Sequence, residues 1–390
     1  MEKRGLMAQI AILSLSFISA GASAVNPALQ GLAGAYPDLP FTTILLVATL
    51  PTLMYIPFSI IAGAVAGSKI KFRTLALLGA VLWVVGGLAP LVFRNFTAIL
   101  AARVLFGIGL GIVSPLASAL ILRLFDGKQR ASLMGFGSAM MNAGGIVFML
   151  LGGVLAATFV HNVWFDYLFG VVALLLLVLW LPEPAKIEKA QSGVKTSMPA
   201  GVWVYVFLMF LFTTLMYPML LSMSTLIVKG GLGTAAAAGL VLSLFTGGGF
   251  LSSLVYGKVS SKVGRFSLAL SLALFAIGIG LIATSASLAV VIVGAVIAGF
   301  GSGIQFPAIM MLMGKVAPPA VISGAVGLAL AGNKLAGFLS PYWMSLLAKV
   351  SGNSAVQFPL IVGAVGFAVL AVVLAVVNAR PAAAPRAQVA

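Results

Sequence analysis

The chain has 390 residues, of which 62% are hydrophobic and only 7% charged, and its mean hydropathy is +1.21. That is too little polar surface to coat a water-soluble globule, so the solvent must be lipid. A net charge of +16 would suggest nucleic acid in a soluble protein, but basic patches there come with abundant polar surface, whereas here the charges sit between apolar runs.

A helix needs about 20 apolar residues to cross about 30 Å of hydrocarbon. Apolar runs bounded by charge, glycine or proline place spans near 7–33, 41–66, 74–93, 96–123, 131–159 and 164–182, then near 201–228, 234–257, 266–286, 288–314, 319–348 and 354–378. The start, Glu2-Lys3-Arg4 with Ala22-Ser23-Ala24 downstream, also has the form of a cleavable signal peptide. Asn26-Pro27-Ala28-Leu29 continues the run and has a counterpart in the second half, so it is read as the first span. The polar stretch holding Glu183, Lys186, Glu188, Lys189 and Lys195 divides the chain: one six-helix unit over 1–182, a cytoplasmic linker over 183–200, a second unit over 201–378, and a disordered tail over 379–390. Trp83, Trp164, Trp180 and Trp203 are expected at the membrane interfaces.

Lysine and arginine in the loops give the orientation. With the N-terminus inside, 17 of the 22 cations fall on the inner side and 3, Arg94, Lys229 and Lys349, on the outer. Arg103 and Lys334 fall within spans. A bacterial inner membrane with both termini cytoplasmic is the expectation.

The halves repeat. Gly63 to Lys71 closes span 2 and Gly257 to Arg265 closes span 8, at an offset of 194 that also pairs Gly107 with Gly301 and Gly109 with Gly303. Asn26-Pro27 matches Tyr217-Pro218 at 191. On these residues the chain resembles the major facilitator superfamily of transporters. The loop motif after span 2 is met in the second copy by Gly257, Lys262, Gly264 and Arg265, with Ser261 where an acid is usual. The first copy keeps Gly63, Lys69 and Lys71, with Gly67 at the acid's place and Ile70 at that of the second glycine. Arg103 to Gly109 resembles the family's span 4 pattern. Gly135, Gly144, Gly152 and Gly153 have the spacing of its antiporter motif, although Phe148-Met149 replaces the usual Gly-Pro. The resemblance implies twelve transmembrane helices in two pseudo-symmetric six-helix bundles, an all-α integral membrane fold around a central site. It assigns gating to Gly63, Lys69, Lys71, Gly107, Arg130, Gly144, Gly257, Lys262, Gly264 and Arg265. The glycines also admit a reading as static packing.

Charge inside a bilayer is costly and needs a reason. All six acids map to loops or span ends, which leaves Arg103 and Lys334 in an interior with no carboxylate. Either they face a water-filled cavity and attract an anion, or they hydrogen-bond to backbone carbonyls. Asn26, Tyr55, Asn142, Tyr217, Gln305 and Asn333 could line the same cavity, or could serve as interhelical glue. The function expected is secondary transport of a small organic anion by alternating access, through exchange, facilitated diffusion or a lysine-linked proton. Efflux of lipophilic drugs or neutral metabolites is the alternative, and a non-transporting sensor a distant one. A hydrolase would need a nucleophile with its base or a metal. The chain has no cysteine, His161 is its one histidine, and the spans offer no such set. No enzyme activity, metal, cofactor or nucleic-acid partner is expected; the partners are a small molecule and lipid, and the protein a monomer.

Overall fold

A computed structural model describes residues 2–67, 69–184, 198–317 and 322–379, with the Arg130 side chain outside them. Most of the expected linker and all but the first residue of the expected tail also lie outside the described residues. Among the rest, the structure is helical. The first crossing is built from α1 (Glu2–Ile18), a 3-10 segment (Gly21–Ala28) and α2 (Leu29–Ala35). There follow α3 (Phe41–Val65), α4 (Phe72–Val92), α5 (Phe96–Leu124), α6 (Gly127–Thr158), and a second 3-10 segment (Val160–Tyr167) that runs into α7 (Leu168–Trp180). The second half holds α8 (Ala200–Lys229), α9 (Ala235–Val263), α10 (Ser267–Thr284), α11 (Leu288–Val316), α12 (Ile322–Ser351) and α13 (Phe358–Ala379).

Among the described residues, ten segments are long and apolar enough to cross a membrane. One of them, Ala235–Thr284, is 50 residues long and is two crossings, broken where Gly264 takes φ +56° between α9 and α10. α12 has the length, 30 residues, but carries Lys334 and Lys349 and is less apolar. With that break and α12 counted, the described residues hold twelve helical passes, in keeping with the expected number. Outward-facing side chains such as Ile60, Leu254 and Val372 are more than 60% exposed, as a lipid-facing surface requires.

Two hydrophobic cores form. One gathers buried residues from Ala11 to Leu181, the other from Val202 to Ala371, and each borrows one residue across the divide: Leu221 joins the first and Met149 the second. Trp83 and Trp164 are fully buried in the first core; for Trp83, at the middle of α4, this corrects its expected place at an interface. The indole of Trp83 packs between Phe106 and Tyr167, with ring centroids 5.1 and 5.2 Å away.

Glycine contacts show the duplication and correct its register. A side chain at Gly109 would strike Trp83 N and Gly79 O; one at Gly301 would strike Phe275 N and Ser271 O. Gly86 presses on Phe106 N and Ala102 O, and Gly278 on Ala298 N and Gly294 O. Gly107 meets Pro51, and Gly299 meets Phe245. Each pair on α4 and α10, or on α5 and α11, is 192 residues apart (301 − 109 = 192), while α3 and α9 keep the offset of 194 (245 − 51 = 194). Gly107 therefore matches Gly299 rather than Gly301, and Arg103 matches the buried Ala295.

These contacts are backbone on backbone, so they cannot yield to an added methyl group. Gly86→Ala is expected to destabilise the fold by about 1–3 kcal/mol, read as a lower thermal midpoint in detergent. Gly63→Ala, which meets nothing within 4 Å, is expected to leave that midpoint unchanged.

Candidate functional site

The site begins with the break in the first crossing. The sequence reads as one apolar run, but the α-helix stops at Ile18 and the chain continues as a 3-10 turn through Gly-Ala-Ser-Ala-Val-Asn-Pro-Ala. Proline has no N–H to donate, so Pro27 cannot bond back to Ala24 in the 3-10 pattern. Neighbours hold the segment: Gly21 lies against the Trp83 ring, Gly144 against the Phe17 carbonyl and Gly152 against the Ala24 carbonyl. Irregular backbone at membrane depth is tolerated where protein buries it or where it borders a cavity. Both conditions hold here, because the segment's other side faces a hollow.

That hollow is a cavity of about 280 Å³ at mid-depth between the halves. Its polar lining is Asn26, Thr52, Tyr55, Asn142, Tyr217 and Lys334, joined by Ser19, Ser23 and Thr246; Leu110, Met141, Met149 and Leu220 supply the apolar wall. Neither aspartate nor glutamate is among the lining residues. Lys334, on α12, places its Nζ 5.0 Å from the centre of the Tyr55 ring on α3, a cation over an aromatic face. Gly337, one turn further on, lies against the Tyr217 ring, where a side chain would collide with it. The sequence thus sets a lysine and a space for a tyrosine on one face of α12.

Of the residues singled out in the sequence, Asn26, Tyr55, Asn142, Tyr217 and Lys334 come together here. Gln305 and Asn333 do not line the cavity, and the Asn333 amide instead donates to Thr213 Oγ1 at 2.6 Å. Arg103 is elsewhere. Its side chain is fully buried in the first half, where Nε donates to the Val47 carbonyl at 2.9 Å and Nη1 to the Tyr167 hydroxyl at 3.0 Å. The guanidinium lies 4.1 Å from the centre of the Phe106 ring. This is the carbonyl-bonded alternative, and it removes Arg103 from the expected lining.

Hydrogen bonds that cross between the halves, among the described residues, lie beside the cavity or on the side away from the N-terminus. Ser224 Oγ donates to the Pro27 carbonyl at 2.5 Å and accepts from Gln30 N at 3.3 Å. Ser243 Oγ donates to the Ile146 carbonyl at 3.0 Å. Near the far end of α6 the seam is backbone on backbone, with Gly153 against Gly239 and the Ala235 carbonyl. Glycines that meet nothing within 4 Å occur on both faces, Gly63, Gly135, Gly257, Gly264 and Gly314 on the N-terminal one and Gly34, Gly231 and Gly352 on the other. Among the described residues the closest contacts across the divide lie away from the N-terminus, on the same side as a second cavity of about 540 Å³ that Phe41, Ser222 and Met344 line.

The loop-motif residues fall on the N-terminal face. Gly67 takes φ +71° in the tight turn that closes with its N–H donating to the Ile70 carbonyl at 2.7 Å, a conformation that favours glycine over the acid usual there. Negative charge comes from Glu183 instead, whose carboxylate accepts from Phe72 N and Arg73 N at 2.8 Å and caps the start of α4. Lys69, Lys71, Lys262 and Arg265 are exposed or partly exposed around these turns. Gly107 and Gly144 pack inside the first half, against Pro51 and Phe17. Glu183 was legible in the sequence only as a linker residue. The buried Asp166, 2% exposed with both carboxylate oxygens unpartnered, corrects the expectation of an interior without carboxylates.

A family profile described as "Major Facilitator Superfamily" matches residues 11–229 and 202–390. The "Quinolone resistance protein NorA" of Staphylococcus aureus is 26% identical over 126 residues, 32% of each chain. The match therefore spans about a third of that relative. The "Hexuronate transporter" of Bacillus subtilis is 26% identical over 243 residues, 53% of this chain and 54% of that one. Among solved structures, the nucleoside transporter NupG superimposes with a TM-score of 0.77 at 12% identity, over 95% of this chain and 99% of that one. At that identity the likeness shows the fold.

The placement of Arg103 has a measurable consequence. Arg103→Met is expected to strand the Val47 carbonyl and the Tyr167 hydroxyl and to cost about 1–3 kcal/mol per charged hydrogen bond lost, lowering the thermal midpoint in detergent. Arg103→Lys, which cannot span both acceptors, is expected to restore little of it.

Proposed function

Because the chain belongs to the Major Facilitator Superfamily, and is thereby a transporter embedded in the bilayer rather than an enzyme, we propose that it carries a small organic anion by alternating access. The observation that carries this reading is Lys334: a cation on the wall of a mid-membrane cavity whose lining includes no carboxylate. A lysine so placed offers a point charge with rotatable donors. The Asn26 and Asn142 amides and the Tyr55 and Tyr217 hydroxyls offer neutral hydrogen bonds around it. An anion entering this cavity replaces its lost hydration with contacts already in place, which a cationic compound would not find.

The close contacts between the halves away from the N-terminus, Gly153 on Gly239 among them, fit a carrier whose halves part on its N-terminal side. The 17 to 3 distribution of loop cations supports a cytoplasmic assignment for that side, and a bacterial inner membrane for the whole. Rocking of the halves about the cavity would close the face that holds Gly63 and Gly257 and part Gly153 from Gly239.

The resemblance to a hexuronate transporter favours a carboxylate cargo. A second reading, export of lipophilic compounds, draws on the resemblance to a quinolone resistance protein and on the methionine and leucine wall formed by Leu110, Met141, Met149 and Leu220.

Uptake of a panel of labelled carboxylates into proteoliposomes separates the two. Lys334→Ala is expected to weaken carboxylate transport about ten- to a hundredfold, the worth of a charge-assisted hydrogen bond. A variant that moves carboxylates as the wild type does would end the anion reading. Selective stabilisation of the wild type by neutral amphiphiles would favour the second.

A further inference from the structure

Asp166 has no role in the cavity, yet it is the buried group with the least support. It sits in the 3-10 turn before α7, 2% exposed, and neither carboxylate oxygen has a hydrogen-bond partner. A bare carboxylate there has given up its water for nothing, at a cost no fold carries without cause. A proton on either oxygen removes the charge and supplies a donor. The groups around it fit that state. On α6, a side chain at Gly152 would lie 3.2 Å from Asp166 Oδ2 and against the Ala24 carbonyl. The broken first crossing thus brings that carbonyl close by, and the 3-10 pattern leaves it facing Pro27, which has no N–H. On Asp166's own segment stand His161, Trp164 and Tyr167. The cation of α5, Arg103, donates through Nε to Val47 and through Nη1 to Tyr167, leaves its buried Nη2 without a partner, and forms no ion pair with Asp166.

The position matters because of what lies on the other side of α6. Gly152 faces Asp166, and the next residue, Gly153, faces Gly239 and Ala235 across the divide between the halves. One turn of glycines therefore separates the acid from the seam that is tight in this structure. We propose that Asp166 is a proton-binding site linked to that seam: it holds a proton while the seam is closed and gives it to water when the seam parts. The site rests on alternating access, but not on the cargo being an anion. Acid favours the closed seam, and alkali favours the open one, because the ionised carboxylate needs the water that opening admits.

The chain contains no cysteine, so single cysteines report directly. Ser224→Cys places a thiol at a residue fully buried under the closed seam; Ala286→Cys, on an exposed loop of the same face, corrects for the pH dependence of thiol chemistry. In nanodiscs without substrate, corrected maleimide labelling of Ser224→Cys is expected to rise severalfold from pH 5.5 to 8.5 on the order of one proton released. Asp166→Asn copies the shape of the protonated acid, so it is expected to keep the thermal midpoint while labelling stays low at every pH; Asp166→Glu is expected to restore the rise. Labelling of Asp166→Asn that follows the wild-type curve overturns the proton site alone. A Ser224→Cys thiol that stays unreactive at every pH in the otherwise wild-type chain overturns the site together with alternating access at this seam.

Discussion

A polar group inside a bilayer has no water to fall back on, and the whole arrangement follows from how each such group is answered. Backbone groups are answered by helices. The exceptions, at Gly21–Ala28 and Val160–Tyr167, are wrapped in protein or turned toward the cavity. Arg103 is answered by a carbonyl, a hydroxyl and aromatic faces, so its charge is spent on holding α3, α5 and the turn before α7 together. Lys334 is not answered in that way. It faces a tyrosine ring and open space.

The second constraint is steric. Lipid gives helices no hydrophobic reason to associate, so close approach has to come from small residues. Gly86, Gly109, Gly278 and Gly301 bring helices within each half into backbone contact, and the matching partners at a constant offset show that both halves use the same joints. Between the halves the comparable contact among the described residues, Gly153 on Gly239, lies away from the N-terminus.

Twelve passes, the duplication, the interior cations and the membrane setting were legible in the sequence because each is a matter of run length, spacing or charge, and those survive without coordinates. Five of the eight expected cavity residues were reached in the same way, since polar side chains within apolar spans have few places to go. The sequence could not separate Lys334 from Arg103, because a carbonyl partner such as Val47 leaves no trace in residue type. Nor could it separate Trp83, deep in the core, from a tryptophan at the interface. The repeat's register was off by two residues in α5 and α11, since glycines recur there every second or third position and any small shift still aligns them.

The chain alone determined what must lie in lipid and how many times, because hydrophobic length is a local property. Tertiary structure decided which interior cation lines the cavity, which acid is buried beside which glycine, and where the halves touch most closely. Those depend on the direction a helix face points and on what another helix, often more than a hundred residues away, sets against it. Helical periodicity fixes neighbours along one helix and says nothing of the partner across the gap.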